Sequence, residues 1–170
     1  MKKMLWICCV AMVVACNSGK EKSNSETGEQ EEVITDSAEI AETKPVFNPE
    51  TELYIWRATM DFKKTKNPAL PAGINNVDSL IWGLNEYYEN VYLEKIKQGG
   101  DTLYTAIRDN KYLGSQMGTT GAEIYLADVV LNLTSVPGIK YVHIDMDTAD
   151  HIEPGTWSIG NFKNYKESIR

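Results

Sequence analysis

The chain has 170 residues, with 24 Asp/Glu against 17 Lys/Arg and a formal charge of −7. It carries no basic run or patch, so the electrostatic footprint of a nucleic-acid binder is missing. Its three cysteines are Cys8, Cys9 and Cys16, so nothing after position 16 can form a disulfide or a cysteine metal site.

Residues 1–16 read MKKMLWICCVAMVVAC. Lys2 and Lys3 make a basic start, and the apolar stretch 4–14 is too short to span a bilayer as a helix. It has the length of a signal-peptide core. The ending Val13-Val14-Ala15-Cys16 resembles a bacterial lipobox. Cys8 and Cys9 fit less well, because Ile7 and Cys8 precede them where a small residue is wanted. The expectation is a signal peptide over 1–15, lipid attachment at Cys16, and a cell-envelope protein anchored by diacylglycerol. Two or more acyl chains give lasting anchorage where one does not. Asn17, rather than Asp, favours the outer membrane over the inner one in a two-membrane cell.

Segment 17–50 holds nine acids, three lysines and a single aromatic, Phe47. That composition cannot bury enough apolar area to fold alone. With Cys16 it reads as a flexible acidic tether over 16–50, spanning about 30–35 Å as a coil. Residues 51–170 then form one domain of net charge −3. A chain of that size buries roughly two thirds of its unfolded surface.

Segment 53–58, LYIWRA, alternates and is rich in β-formers, which predicts a strand. A loop with Pro68, Pro71 and Gly73 follows. Asn76 or Asp78 then caps a helix whose apolar face is Leu80, Ile81, Leu84, Tyr87 and Tyr88. Segments 91–98 and 102–108 flank Gly99-Gly100-Asp101 and read as a hairpin. Thr120 with Glu123 matches a capping box for a second helix running to about Ser135. Its apolar arc is wide enough for a largely buried helix, with Tyr125, Asp128, Asn132 and Ser135 on the remaining side. Pro137-Gly138 ends that helix, and 139–146 alternates as a strand. The order β-α-β-β-α-β predicts an α/β (α+β) two-layer sandwich, with two helices on one face of a mixed sheet.

Alternation assigns Leu53, Ile55, Leu103, Ile107, Val142, Ile144 and Met146 to the core. Their neighbours Tyr54, Trp56, Tyr104, Tyr141 and His143 then share the opposite face. Tyr54, Trp56, Tyr104 and Tyr141, with Trp82 on the polar side of the first helix, are the candidate partner-binding residues.

The stretch GTTGAEIYLADVVLNLTSVPGIKYVHIDMD resembles the GerMN domain of sporulation, spore-germination and lipoprotein chains. The resemblance rests on the Gly-rich turn with Glu123, Leu126-Ala127, Val129-Val130, Leu133-Thr134, Pro137-Gly138 and the Val142-x-Ile144 strand. Thr148 departs from the glycine that often follows this strand's Asp, and Asp128 and Asn132 stand where Gln and Thr are frequent. The resemblance implies a non-catalytic extracytoplasmic module, some of whose relatives build envelope or ring-like assemblies. Partners are then an envelope protein, a peptidoglycan-associated partner or a second copy of the chain.

Catalysis has one candidate. His143, Asp145 and Asp147 share one side of a strand, with Asp150, His151 and Glu153 close in sequence. These are metal-ligand types, but Ala149 and Asp150 break the spacing of a calcium loop. No Ser sits in a nucleophile elbow, and Gly118-Thr119-Thr120-Gly121 lacks the lysine of a phosphate loop. The reading is therefore no metal and no cofactor. The alternatives are a secreted metal-dependent hydrolase using the 143–153 cluster, or a glycan-binding module.

Overall fold

Residues 48, 50–70 and 74–168 are described by the computed structural model; the expected signal peptide, Cys16 and nearly all of the expected tether lie outside them. Asn76 starts the first helix as expected. Its backbone is extended and its side-chain oxygen accepts the Ser79 N–H at 2.8 Å, opening α1 at Val77–Tyr87. Leu80, Ile81 and Leu84 go into the core, and Trp82 stays 56% exposed. Asn85 then brackets Leu93, accepting its N–H at 2.8 Å and donating to its carbonyl at 3.0 Å. That fixes where β3 (Glu94–Gly99) begins. Gly100 has φ +62, as the turn into β4 (Thr102–Ala106) requires.

The second helix, α2, spans Gly118–Leu133. The Thr120/Glu123 capping box does not form: the N-cap is Met117, and no side chain caps the helix. A five-residue π-helical turn, Tyr112–Gln116, leads in instead, so the chain is already helical before Thr120. Pro137 and Gly138 act as expected, Gly138 taking φ +88. Strand β5 (Tyr141–Asp145) follows and pairs parallel to β4, making a β-α-β crossover.

The fold is α+β, but its strands form two sheets rather than one. Four strands run in the order β3-β4-β5-β6, with β6 at Gly155–Ser158 antiparallel to β5. The predicted first strand does not join them. It is β1, Trp56–Ala58, antiparallel to β2 (Lys63–Lys66), which pairs parallel with β7 (Lys166–Glu167). Strands β2, β6 and β7 were not anticipated. β2 reads KKTK and shows no apolar alternation, while β6 and β7 are short pieces of a polar tail.

Helix α2 is buried almost all round, because it lies between β1 and the inner face of the four-stranded sheet. Leu103, Ile107, Val142, Ile144 and Met146 face the core as predicted, and so does Ile55. Leu53 is only half-buried, since its backbone lies across α1 at Gly83. Among the described residues, no helix is long and apolar enough to cross a membrane.

Candidate functional site

The outer face of the four-stranded sheet carries cross-strand rows set by its register. One row is Lys97, Tyr104, His143 and Thr156. The Lys97 ammonium stands 5.0 Å from the Tyr104 ring centre. That ring lies 5.4 Å from the His143 imidazole, whose Nδ1 is 2.8 Å from Thr156 Oγ1. The next row is Gly99, Thr102, Tyr141 and Ser158, with Tyr141 43% exposed. On the opposite side of the first row, Arg108 reaches Glu94 at 3.4 Å and Asp145 at 3.6 Å. These pairs are exposed, so each stabilises by about 1 kcal/mol at most. A cation, two tyrosines and an imidazole thus line one face, with Lys97, Tyr141 and Thr156 exposed and Tyr104 and His143 half-buried. Tyr104 and Tyr141 were legible from alternation. Lys97 was hidden by a register shift between Lys95 and Lys97, and Thr156 by the unread strand β6. The alternation in residues 155–158, where Trp157 points inward and Thr156 outward, was the available signal for that strand.

Tyr54 and Trp56 do not belong to this face. They sit in and beside β1, on the other sheet. Arg57 lies 4.2 Å from the Tyr54 ring centre and 3.8 Å from that of Tyr87. Trp56 is half-buried, its indole N–H donating to Ser135 at 3.2 Å while the Lys64 ammonium covers the ring at 4.6 Å. Trp82 is exposed on α1, as read from its helix position.

The polar side of α2 ties β1 in place. Asn132, fully buried, accepts the N–H groups of Ile55 (2.6 Å) and Trp56 (3.0 Å) and donates to the Trp56 carbonyl (2.9 Å). Asp128 accepts the Ala58 N–H at 2.6 Å and the Tyr88 hydroxyl at 2.7 Å, with Arg57 at 3.8 Å. Four helical residues advance about 6 Å, close to the ~7 Å between strand residues two apart. Asn132 and Asp128 can therefore stand in for a neighbouring strand.

Burial raises the Asp128 carboxyl to about 6, against the smaller lowering effects of Arg57, Tyr88 and the Ala58 N–H. The folded protein therefore holds this proton more tightly than the unfolded chain. That contribution to stability is full below pH 4 and is lost as pH rises through about 6. It amounts to roughly 3 kcal/mol. Asp128→Asn keeps a carbonyl for Ala58 and cannot ionise. Urea unfolding of the two proteins at a series of pH values should show wild type losing stability relative to the variant between about pH 4 and pH 7. Parallel curves would sink this assignment.

The 143–153 cluster does not assemble into a metal site. Among the described residues, no group of three or more His, Cys, Asp or Glu could hold a metal ion. His143 is turned to Thr156, His151 Nδ1 lies 3.1 Å from Thr119 Oγ1, and Asp145 faces Arg108. The Asp147 carbonyl accepts from Asn110. Asp150, His151 and Glu153 border a shallow hollow of about 360 Å³ with Thr119.

A larger cavity, about 530 Å³, opens between the α1–β3 connection and the π-helical turn. Tyr92, Asn90, Lys111, Tyr112 and Gln116 are among its walls. Tyr92 is 67% exposed. No sequence motif marked this cavity, because its walls come from two separate segments, 89–92 and 108–116.

No family model, curated protein or solved structure matches the chain.

Proposed function

We propose that the chain is a lipid-anchored cell-envelope protein whose GerMN-like domain is a non-catalytic binding module. Its partner, an envelope protein, docks on the outer face of the four-stranded sheet. The observation that carries this reading is the row Lys97–Tyr104–His143–Thr156 with Tyr141 beside it, in which Lys97, Thr156 and Tyr141 are exposed. Tyrosines offer large contact area with a polar tip, and such residues are enriched at interfaces. The basic start, short apolar core and Val-Val-Ala-Cys16 ending support the anchor.

The test is Tyr141→Ala combined with Lys97→Ala, two exposed positions where folding costs stay small. Melting should shift little, while recovery of the partner from detergent-solubilised envelopes should be lost. Full recovery with unchanged melting would remove this face from consideration. A second reading, saccharide binding, is favoured by the cavity walled by Tyr92, Asn90 and Gln116, since an exposed ring beside amides suits stacking and hydroxyl recognition. If partner recovery survives the double substitution but falls with Tyr92→Ala, that cavity is the site.

A further inference from the structure

The three-stranded sheet concentrates positive charge in an otherwise acidic chain. Lys63, Lys64 and Lys66 lie on β2, with Lys163 and Lys166 in the segment that pairs beside it. Across the strands Lys63 faces Lys166 and Lys64 faces Glu167, so five lysines share this region with two carboxylates, Asp61 and Glu167, and leave it net positive. Lys63 is paired with Asp61 at 2.5 Å, both exposed. Among the described residues, no carboxylate lies within 4 Å of the ammonium groups of Lys64, Lys66, Lys163 or Lys166.

The tip between β1 and β2 is apolar. Met60 is 75% exposed and Phe62 44%. Phe62 has φ +55, a left-handed conformation that strains a non-glycine residue. It is held there by the Lys166 N–H on its carbonyl at 2.9 Å and by edge contact with Tyr165, centroids 5.5 Å apart. The fold thus sustains local strain in a tip that shows two apolar side chains to solvent, flanked by lysines on both faces of the hairpin.

We propose that the β1–β2 hairpin is a membrane-surface contact. Met60 and Phe62 enter the headgroup boundary of an anionic bilayer, and Lys63, Lys64, Lys66, Lys163 and Lys166 meet the headgroups. An acidic protein would need an apolar pocket matched to Met60 and Phe62 within its carboxylates, whereas an anionic bilayer presents negative headgroups over an apolar interior along its whole surface, which fits a protruding apolar tip backed by lysines. The proposal rests on the lipid-anchor reading only for bringing the domain to the bilayer.

The test uses the purified full chain carrying Cys16→Ser, so that no lipid holds it to a bicelle, with carbon-13-methyl methionine. It is mixed with bicelles of phosphatidylcholine alone or with added phosphatidylglycerol, each bearing a gadolinium chelate on its headgroups. The Met60 methyl signal should vanish with the anionic bicelles. It should persist with phosphatidylcholine, and in about 1 M salt, where screening acts within about 3 Å. The buried Met117 and Met146 should stay sharp and report the fold. The triple variant K63Q/K64Q/K66Q should bind anionic bicelles about a hundredfold more weakly, each lysine supplying ~1 kcal/mol at such a surface. A Met60 signal that survives anionic bicelles, or is lost equally with phosphatidylcholine, overturns the proposal. Survival together with broadening by an acidic peptide would assign the lysines to a protein partner instead. Mass spectrometry of Cys16 in the protein from native envelopes reports the anchor separately: an unlipidated Cys16 there, with Met60 of the test chain still responding, refutes the anchor and leaves the hairpin contact standing.

Discussion

Asn132→Ala should destabilise the protein by roughly 3–5 kcal/mol. Three backbone groups of segment 55–56 have Asn132 as their partner: two N–H groups and the Trp56 carbonyl. A fourth bond from its amide goes to the Asp128 carbonyl at 2.7 Å. Asn132 is fully buried, so alanine leaves shielded polar groups with nothing to bond. Each such group costs about 1–3 kcal/mol. Asn132→Asp is the sharper comparison. It preserves size and both accepted bonds, loses both donated ones, and buries a second carboxylate four residues from Asp128. Its instability should ease at acid pH as the new carboxyl gains a proton. Urea unfolding at neutral and acid pH checks both variants. A loss under about 1 kcal/mol for Asn132→Ala would mean that segment 55–58 is not held by α2.

Gly83→Ala should cost about 3 kcal/mol, although alanine is the better helix former by about 1 kcal/mol. A Cβ at Gly83 would lie 2.1 Å from the Leu53 carbonyl oxygen and 2.6 Å from the Leu53 Cβ. Two of the three nearest atoms are backbone, so no rotamer change relieves the clash. Either α1 shifts or segment 53–58 lifts from both helices. Thermal melting distinguishes the outcomes. A variant that melts at or above the wild-type temperature would show that Leu53 does not rest on α1.

These two sites show what the sequence made legible. Helix α1, the β3–β4 hairpin, the Gly138 stop and strand β5 follow local rules: a cap, a turn glycine, a period of two or 3.6. Segment 53–58 also looked like a strand, and its central part is one. What no local rule revealed was its neighbour. Asp128 and Asn132 read as the polar side of a helix, which ordinarily faces water. Here that side is buried because it bonds a strand, and only their i, i+4 spacing hinted at it. Once β1 leaves the main sheet, Tyr54 and Trp56 leave the aromatic face with it. The His143–Glu153 acids and imidazoles were adjacent in sequence, yet β5 pairing turned His143 toward Thr156 and the following loop carried His151 to Thr119. The cavity at Tyr92 needed two separate segments, 89–92 and 108–116, to meet, which a linear pattern does not encode.

The central claim is that the outer face of the four-stranded sheet is open in the isolated protein and occupied in the envelope. Hydroxyl-radical footprinting of intact envelopes and of the purified full chain tests this most directly. Tyr141 and Tyr104 should be oxidised in the purified protein and protected in envelopes. Tyr125, 1% exposed, should resist in both. If Tyr141 is already protected in the purified chain, another part of the chain covers the face. If it is equally reactive in both, nothing docks there, and the binding-module account is wrong.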